Sequence, residues 1–433
     1  MPQQPKELRR LALAMGGVSL AGYAVDYGFN LGLTRFLTPH AYGDYKVAFS
    51  FAFFLGLAVL LGGDRAAPLM LSPAIQEGRP RKVWEYLLFY FKTASLLGGL
   101  AILLTWVLSA LHVGGVDPED HHVLAWAVVA VPLNAAAAMV SRTLQSAQLQ
   151  VRASLPWRVG LPLFQLALFA LVVAWRGQLT VYEAVFIAVV ATAGLTWWQW
   201  RDIRRLGLVE VRRDRAASEP RVWLKASLPM MGAFLVALAL NQSDLFFLEL
   251  LGNENDVGHY AAAAMAAHFV PLLQVATVGL IAPFIRPALD RGAEASRTLF
   301  RQGLTLILAS VLPVAAVLVL FAGPILGLFG PSYRDSLGTL IALVLGNVSW
   351  ALAALSSLWL QYQRRGVVVL VVSILTLALD SLLNLLLIPR YGMEGAAAST
   401  AMTLSLSAAM ILWLHWRHPS PSSSSVEKLE SED

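Results

Sequence analysis

The sequence predicts an all-α polytopic membrane protein with about twelve transmembrane helices in two parallel-repeat six-helix lobes. Three observations predict it. Of the 433 residues, 57% are hydrophobic and 14% charged, where soluble domains carry about 25% charged residues, and the mean hydropathy is +0.63. Apolar runs of about 20 residues, enough to cross a hydrocarbon core, recur from near Arg10 to near Trp416. Short motifs in the first half also recur in the second at a nearly constant offset.

The spans are expected at roughly 10–36, 43–63, 83–110, 123–143, 159–175, 181–200, 223–250, 258–285, 299–321, 337–360, 367–388 and 393–416. The first is too long, and with Asp26 and Asn30 too polar, for a cleaved signal peptide. The N-terminus and alternate loops hold most of the basic residues, among them Arg65, Arg142, Arg152, Arg158, the run from Arg201 to Lys225, Arg297 and Arg301. The positive-inside rule then places both termini in the cytoplasm. The basic stretch at 200–221 lacks interleaved aromatics and suits anionic lipid better than nucleic acid, so no nucleic-acid partner is expected. The expected organisation is an N-terminal lobe over 1–210, a C-terminal lobe over 211–418 and a disordered cytoplasmic tail, rich in Ser and acidic residues, over 419–433.

The repeat aligns AYGDYKVAF at 41–49 with DVGHYAAAA at 256–264, pairing Gly43 with Gly258 and Tyr45 with Tyr260. AIQEG at 74–78 aligns with ALDRG at 288–292. Six spans is an even number, so both copies enter the membrane in the same direction, and a site between parallel repeats is expected.

Charges near a membrane centre cost about 2.5 to 3.5 kcal/mol each and usually face a cavity or a partner. Asp26, Asp244 and Asp380 lie within spans one, seven and eleven. Spans one and eleven share the spacing S-x6-D-x3-N, as Ser19, Asp26, Asn30 and as Ser373, Asp380, Asn384, which gathers each set into one helical stripe. Asn241 beside Asp244 adds a third polar cluster. These groups either bind a coupling ion and substrate or hydrogen-bond between helices. Gly28 and Gly32 lie on the opposite face of span one, where they suit helix packing. Lys92 sits near the middle of its span and either binds an anion or snorkels to the interface.

The chain contains no cysteine, which removes disulfides, thiolate nucleophiles and Cys-based metal sites. H-E-x-x-H, P-loop and G-x-S-x-G motifs are also missing, and His121, His122, His415 and His418 fall at span ends. No enzyme activity, catalytic residue, metal site or cofactor is expected, apart from a coupling H+ or Na+.

Residues 225–263, KASLPMMGAFLVALALNQSDLFFLELLGNENDVGHYAAA, resemble the seventh span and following loop of polysaccharide-type flippases. LTRFLTPHAYGDYKVAF at 33–49, LFGPSYRDS at 328–336 and LLNLLLIPRYGMEGAAAST at 382–400 are similar to further hallmarks of that family. The resemblance implies the multidrug, oligosaccharidyl-lipid and polysaccharide exporter superfamily. It further implies two six-helix bundles that move a polyprenyl-pyrophosphate-linked glycan outward across the cytoplasmic membrane by alternating access, functional as a monomer among membrane lipids and glycan-assembly proteins. Basic cavity residues for the pyrophosphate are then expected at Lys92, Arg35, Lys46 and Arg142, with Asn30, Asn241 and Asn384 as polar substrate contacts and Asp26, Asp244 and Asp380 as coupling groups. The alternatives are a cation-coupled exporter of small amphipathic molecules from the same superfamily, and a membrane-embedded glycosyltransferase or ligase.

Overall fold

The computed structural model describes the backbone of residues 5–110, 118–211, 219–363 and 365–417, and all regular structure there is helical. In chain order the helices are α1 (Pro5–Phe36), α2 (Pro39–Ala58), α3 (Gly63–Gln76), α4 (Pro80–Ala110), α5 (Pro118–Ala127), α6 (Val131–Ser146), α7 (Gln150–Leu155), α8 (Leu161–Arg176), α9 (Val181–Arg205), α10 (Pro220–Leu251), α11 (Glu254–Ala267), α12 (Phe269–Asp290), α13 (Ala293–Leu320), α14 (Ala322–Phe329), α15 (Leu337–Tyr362) and α16 (Gly366–Arg417). Local chemistry sets several ends. Thr38 caps α2 by accepting from the Ala41 amide at 3.2 Å, with Pro39 in the first turn. Thr180 and Glu183 form a reciprocal capping box on α9.

Among the described residues, nine helices are long and apolar enough to cross a membrane, and the bent pair α2 and α3 makes ten. The two further expected spans are α1, which is not among the nine, and the second half of α16, counted there as one piece. That helix is in fact a hairpin. Straight, the 19 residues from Asp380 to Ser399 would span about 28 Å, yet the Ser399 hydroxyl donates to Asp380 Oδ1 at 3.1 Å. The reversal occurs at Gly392, whose φ of 54° lies in the region glycine favours. A Cβ there would run into the carboxylate of Asp256 on α11.

The chain forms two compact units, Val18–Leu238 and Ala239–Asp433 with Met1–Gly17. Where the sequence suggests a division at 210/211, in the basic middle loop, the units part inside α10. The reason is that the first half of α10 packs with α3 and α4: Trp223 stands edge-on to Tyr86, Ser227 accepts a hydrogen bond from Tyr90 at 3.0 Å, and Phe234 lies beneath Arg65. In the first unit α6 is the hub and packs on α2, α3, α4 and α9. The second unit is built around α15, which packs on α11, α12, α13 and α16.

Close backbone approach in this second unit depends on Gly346, since a Cβ there would lie 2.8 Å from the Ala401 Cα. Gly346→Leu is expected to cost about 3 kcal/mol or more, because a backbone neighbour cannot rotate away. Thermal unfolding of the purified protein checks it; an unchanged midpoint would show that α15 and α16 can separate without loss.

Candidate functional site

The second unit buries two carboxylates side by side. Asp244 comes from α10 and Asp380 from the first arm of the α16 hairpin, with relative exposures of 9% and 3%. The Asn384 amide, one turn beyond Asp380, bridges them by donating to Asp244 Oδ1 at 2.9 Å and to Asp380 Oδ2 at 3.1 Å. Asp380 also accepts from Ser243 at 2.9 Å, and from Ser399 and Thr403 of the second arm at 3.1 and 3.2 Å. Tyr260 of α11 and Thr400 donate to Asp244 Oδ2 at 2.5 and 2.6 Å.

Among the described residues, neither acid has an ion-pair partner. Two buried carboxyls held only by neutral donors can be balanced by a proton or by a bound cation. The donor set fits a hard one. It consists of carboxylate, hydroxyl and amide oxygens, and the Asn384 Oδ1 atom is buried with no hydrogen-bond donor. The Thr400 and Thr403 hydroxyls can also turn to backbone carbonyls of their own arm at 2.9 to 3.1 Å, and Ser399 to the Asp380 carbonyl of the first arm at 3.1 Å, which frees their lone pairs. Asn241 lies on α10, but its side chain is outside the described residues. Ser373 bonds Val369 O at 3.0 Å in its own helix and takes no part in the cluster.

The first unit handles its aspartate differently. Asn30 donates to the Asp26 backbone oxygen at 2.7 Å and to Asp26 Oδ1 at 3.3 Å, and the Tyr42 hydroxyl donates to Asn30 Oδ1 at 3.0 Å. Lys46 Nζ lies 5.5 Å from the Tyr42 ring centre and is the opposite charge acting on Asp26. Tyr45 is buried within the influence of Asp26, as its repeat partner Tyr260 is bonded to Asp244. The position after Tyr260, however, is Ala261. A lysine thus stands near the carboxylate of one unit, and an alanine occupies the matching position of the other.

A cavity of about 540 Å³ in the first unit is lined by Arg65, Arg142 and Arg158 together with Asp64 and Trp157. Arg65 Nε is 2.9 Å from Asp64 Oδ2, and its guanidinium lies 3.4 Å above the Phe234 ring centre. Arg142 donates to Gln145 at 2.6 Å, while Arg158 donates to Ser19. Arg158 and Trp157 project from a π-helical turn at Pro156–Gly160, and Trp157 Nε1 is fixed by Gln199 at 2.6 Å. Gly22 of α1 meets the Arg158 carbonyl so closely that no Cβ fits. Of the other expected basic positions, Arg35 is exposed at the end of α1 and Lys92 is exposed on α4. Neither lines this cavity. Gly32 packs against Phe169 as a small-residue face should, but a Cβ at Gly28 would meet open space.

The family profile described as "Polysaccharide biosynthesis protein" matches residues 10–285, which include Asp26, the basic cavity and Asp244. The chain belongs to the polysaccharide biosynthesis protein family. Solved structures share its fold over nearly the whole length. A multidrug resistance MATE family transporter of the MOP superfamily, inward-facing, is 17% identical with a TM-score of 0.69, covering 95% of this chain and 99% of that one. The lipid II flippase MurJ, in an inward closed conformation, is 12% identical with a TM-score of 0.68, covering 94% and 87%. A variant of the MATE transporter VcmN from Vibrio cholerae is 17% identical with a TM-score of 0.60, covering 95% and 97%. No curated protein matches the chain. This member of the polysaccharide biosynthesis protein family is thus a multi-pass membrane protein with the MATE and MurJ fold.

The sequence reading did not single out Tyr260, Ser243, Ser399, Thr400 and Thr403 as cluster members, or Arg65 and Arg158 as cavity residues. A signal existed for some of them: Tyr260 stands in the repeat, and the run AAASTAMTLSLS interrupts an apolar span with hydroxyls.

Proposed function

We propose that the protein is a transporter that moves a polyprenyl-pyrophosphate-linked saccharide precursor outward across the cytoplasmic membrane by alternating access, coupled to a cation held by Asp244 and Asp380. The observation that carries the substrate reading is the basic cavity, where three guanidinia face one carboxylate. Such a lining suits a pyrophosphate, which arginine grips in forked hydrogen bonds. All three arginines lie on the side that the positive-inside rule assigns to the cytoplasm, where the substrate is loaded. The family match supports the saccharide, and the unbalanced acid pair supports the cation. Relatives of this fold solved inward-facing and outward-facing support alternating access. Both termini are placed in the cytoplasm, and the monomer is the working unit.

The runner-up is cation-coupled export of small amphipathic molecules, as the likeness to multidrug resistance MATE transporters suggests. The excess of arginine in the cavity disfavours a cationic cargo.

Proteoliposomes loaded with a fluorescent polyprenyl-pyrophosphate saccharide test this reading. Translocation is expected to require the protein and to rise several-fold when a sodium or proton gradient is imposed. Gradient-driven export of small amphipathic molecules with no movement of the lipid-linked saccharide would establish the runner-up instead.

A further inference from the structure

A smaller cavity, of about 240 Å³, lies at one end of the second unit between α13, α15 and α16. Arg297 and Arg301 line it from successive turns of α13. Both are exposed, and among the described residues neither is paired with an acid. The floor is aromatic. His415 stacks on Phe300 with ring centres 4.6 Å apart and planes at 17°, and Phe300 meets Trp359 edge-on at 5.4 Å. His415 Nδ1 is buried without a hydrogen-bond partner. At the rim Trp416 is 81% exposed, and the neighbouring Trp413 carries Arg417 at 4.2 Å from its ring centre.

These features have different origins and point the same way. Exposed tryptophans at the end of a membrane-spanning helix mark the level of the lipid headgroups. Unpaired guanidinia at that level attract anionic lipid, and two of them one helical turn apart can hold adjacent oxygens of one phosphate. The unsatisfied imidazole nitrogen offers a further polar partner in the cavity wall. The volume, about 240 Å³, accommodates a phosphodiester with its glycerol.

We infer that this cavity binds the phosphate of an anionic phospholipid headgroup. The site belongs to the second unit alone and is separate from both the carboxylate pair and the arginine cavity of the first unit.

The test uses full-length protein exchanged into phosphatidylcholine nanodiscs with increasing phosphatidylglycerol, read as lipid retained in native mass spectra and as the unfolding midpoint. The wild type is expected to retain phosphatidylglycerol and to unfold at a higher temperature in its presence. Arg297→Gln/Arg301→Gln should need roughly tenfold more phosphatidylglycerol for the same retention and shift. Arg334→Gln/Arg390→Gln, which removes two exposed arginines of the second unit that do not line this cavity, should behave as wild type. His415→Phe keeps the aromatic stack and should weaken retention less than the double arginine variant. The assignment is overturned if the Arg297/Arg301 variant responds like wild type, or if the Arg334/Arg390 variant loses as much. It is overturned equally if inorganic phosphate at the same concentration stabilises the wild type as well as the lipid does, since the site would then serve a free ion.

Discussion

Asp380→Asn should abolish stabilisation by the coupling cation and slow gradient-driven translocation by roughly tenfold to a hundredfold, the range of typical coupling energies. The substitution keeps the size of the side chain and an oxygen that can still accept from Ser399 and Thr403. It removes one of two ionisable carboxyls that share a buried site, so in cation-free buffer the variant should be as stable as the wild type or more so. A cation at a hundred times its dissociation constant would add about 2.7 kcal/mol to the wild type, and nothing to the variant. Unfolding midpoints across a sodium series at fixed pH, and across pH without sodium, measure this and identify the ion. Asp244→Asn should behave alike. Asp26→Asn should not, because that carboxylate belongs to the first unit and its loss leaves the cation response of the second unit intact. Equal cation-induced stabilisation in Asp380→Asn and wild type would mean that the cluster only ties helices together.

Arg142→Gln/Arg158→Gln should raise the substrate concentration for half-maximal translocation by roughly a hundredfold, since a hydrogen bond to a charged group contributes about 1.5 to 3 kcal/mol. Maximal rate should change less, and Lys at both positions should recover part of the loss by restoring charge without the fork. Arg65 is a poorer probe. Removing it would strand Asp64, only 2% exposed, and breaking a buried pair costs about 3 to 5 kcal/mol in folding. Reconstituted translocation at several substrate concentrations distinguishes binding from turnover. An unchanged half-saturation value in the double variant would remove the pyrophosphate from this cavity.

The helices were largely legible because length and hydropathy alone decide what can cross a membrane. Asp380 and Asn384 were legible for a related reason: four residues apart on an apolar helix, they share a face whatever the neighbours do. Their partners Ser399 and Thr403 depend on the hairpin, and nothing in local periodicity says that a chain turns back at Gly392. Arg65, Arg142 and Arg158 sort to one side of the membrane by charge counting. Their convergence on a single cavity depends on the packing of α3, α6 and the π-helical turn, which hydropathy does not encode. Lys92 drew notice for its depth in a span, yet depth does not specify facing, and the structure leaves it exposed. Lys46 shows the opposite limit, since its link to Asp26 runs through Asn30 and Tyr42 across two helices.

The hairpin at Gly392 has a mechanical consequence. Its first arm supplies Asp380 and Asn384, its second supplies Ser399, Thr400 and Thr403, and α10 and α11 contribute Asp244 and Tyr260. The carboxylates therefore act as a clasp midway along two antiparallel arms, while the Gly392 end is held against Asp256. Splaying the arms must pull hydroxyls away from Asp380 and Thr400 away from Asp244, and an ion shared by both arms resists that opening. In the proposed transporter, ion occupancy and arm separation would then be one variable rather than two. Binding or release of one such ion at the clasp would be converted into a displacement at the far ends of two helices.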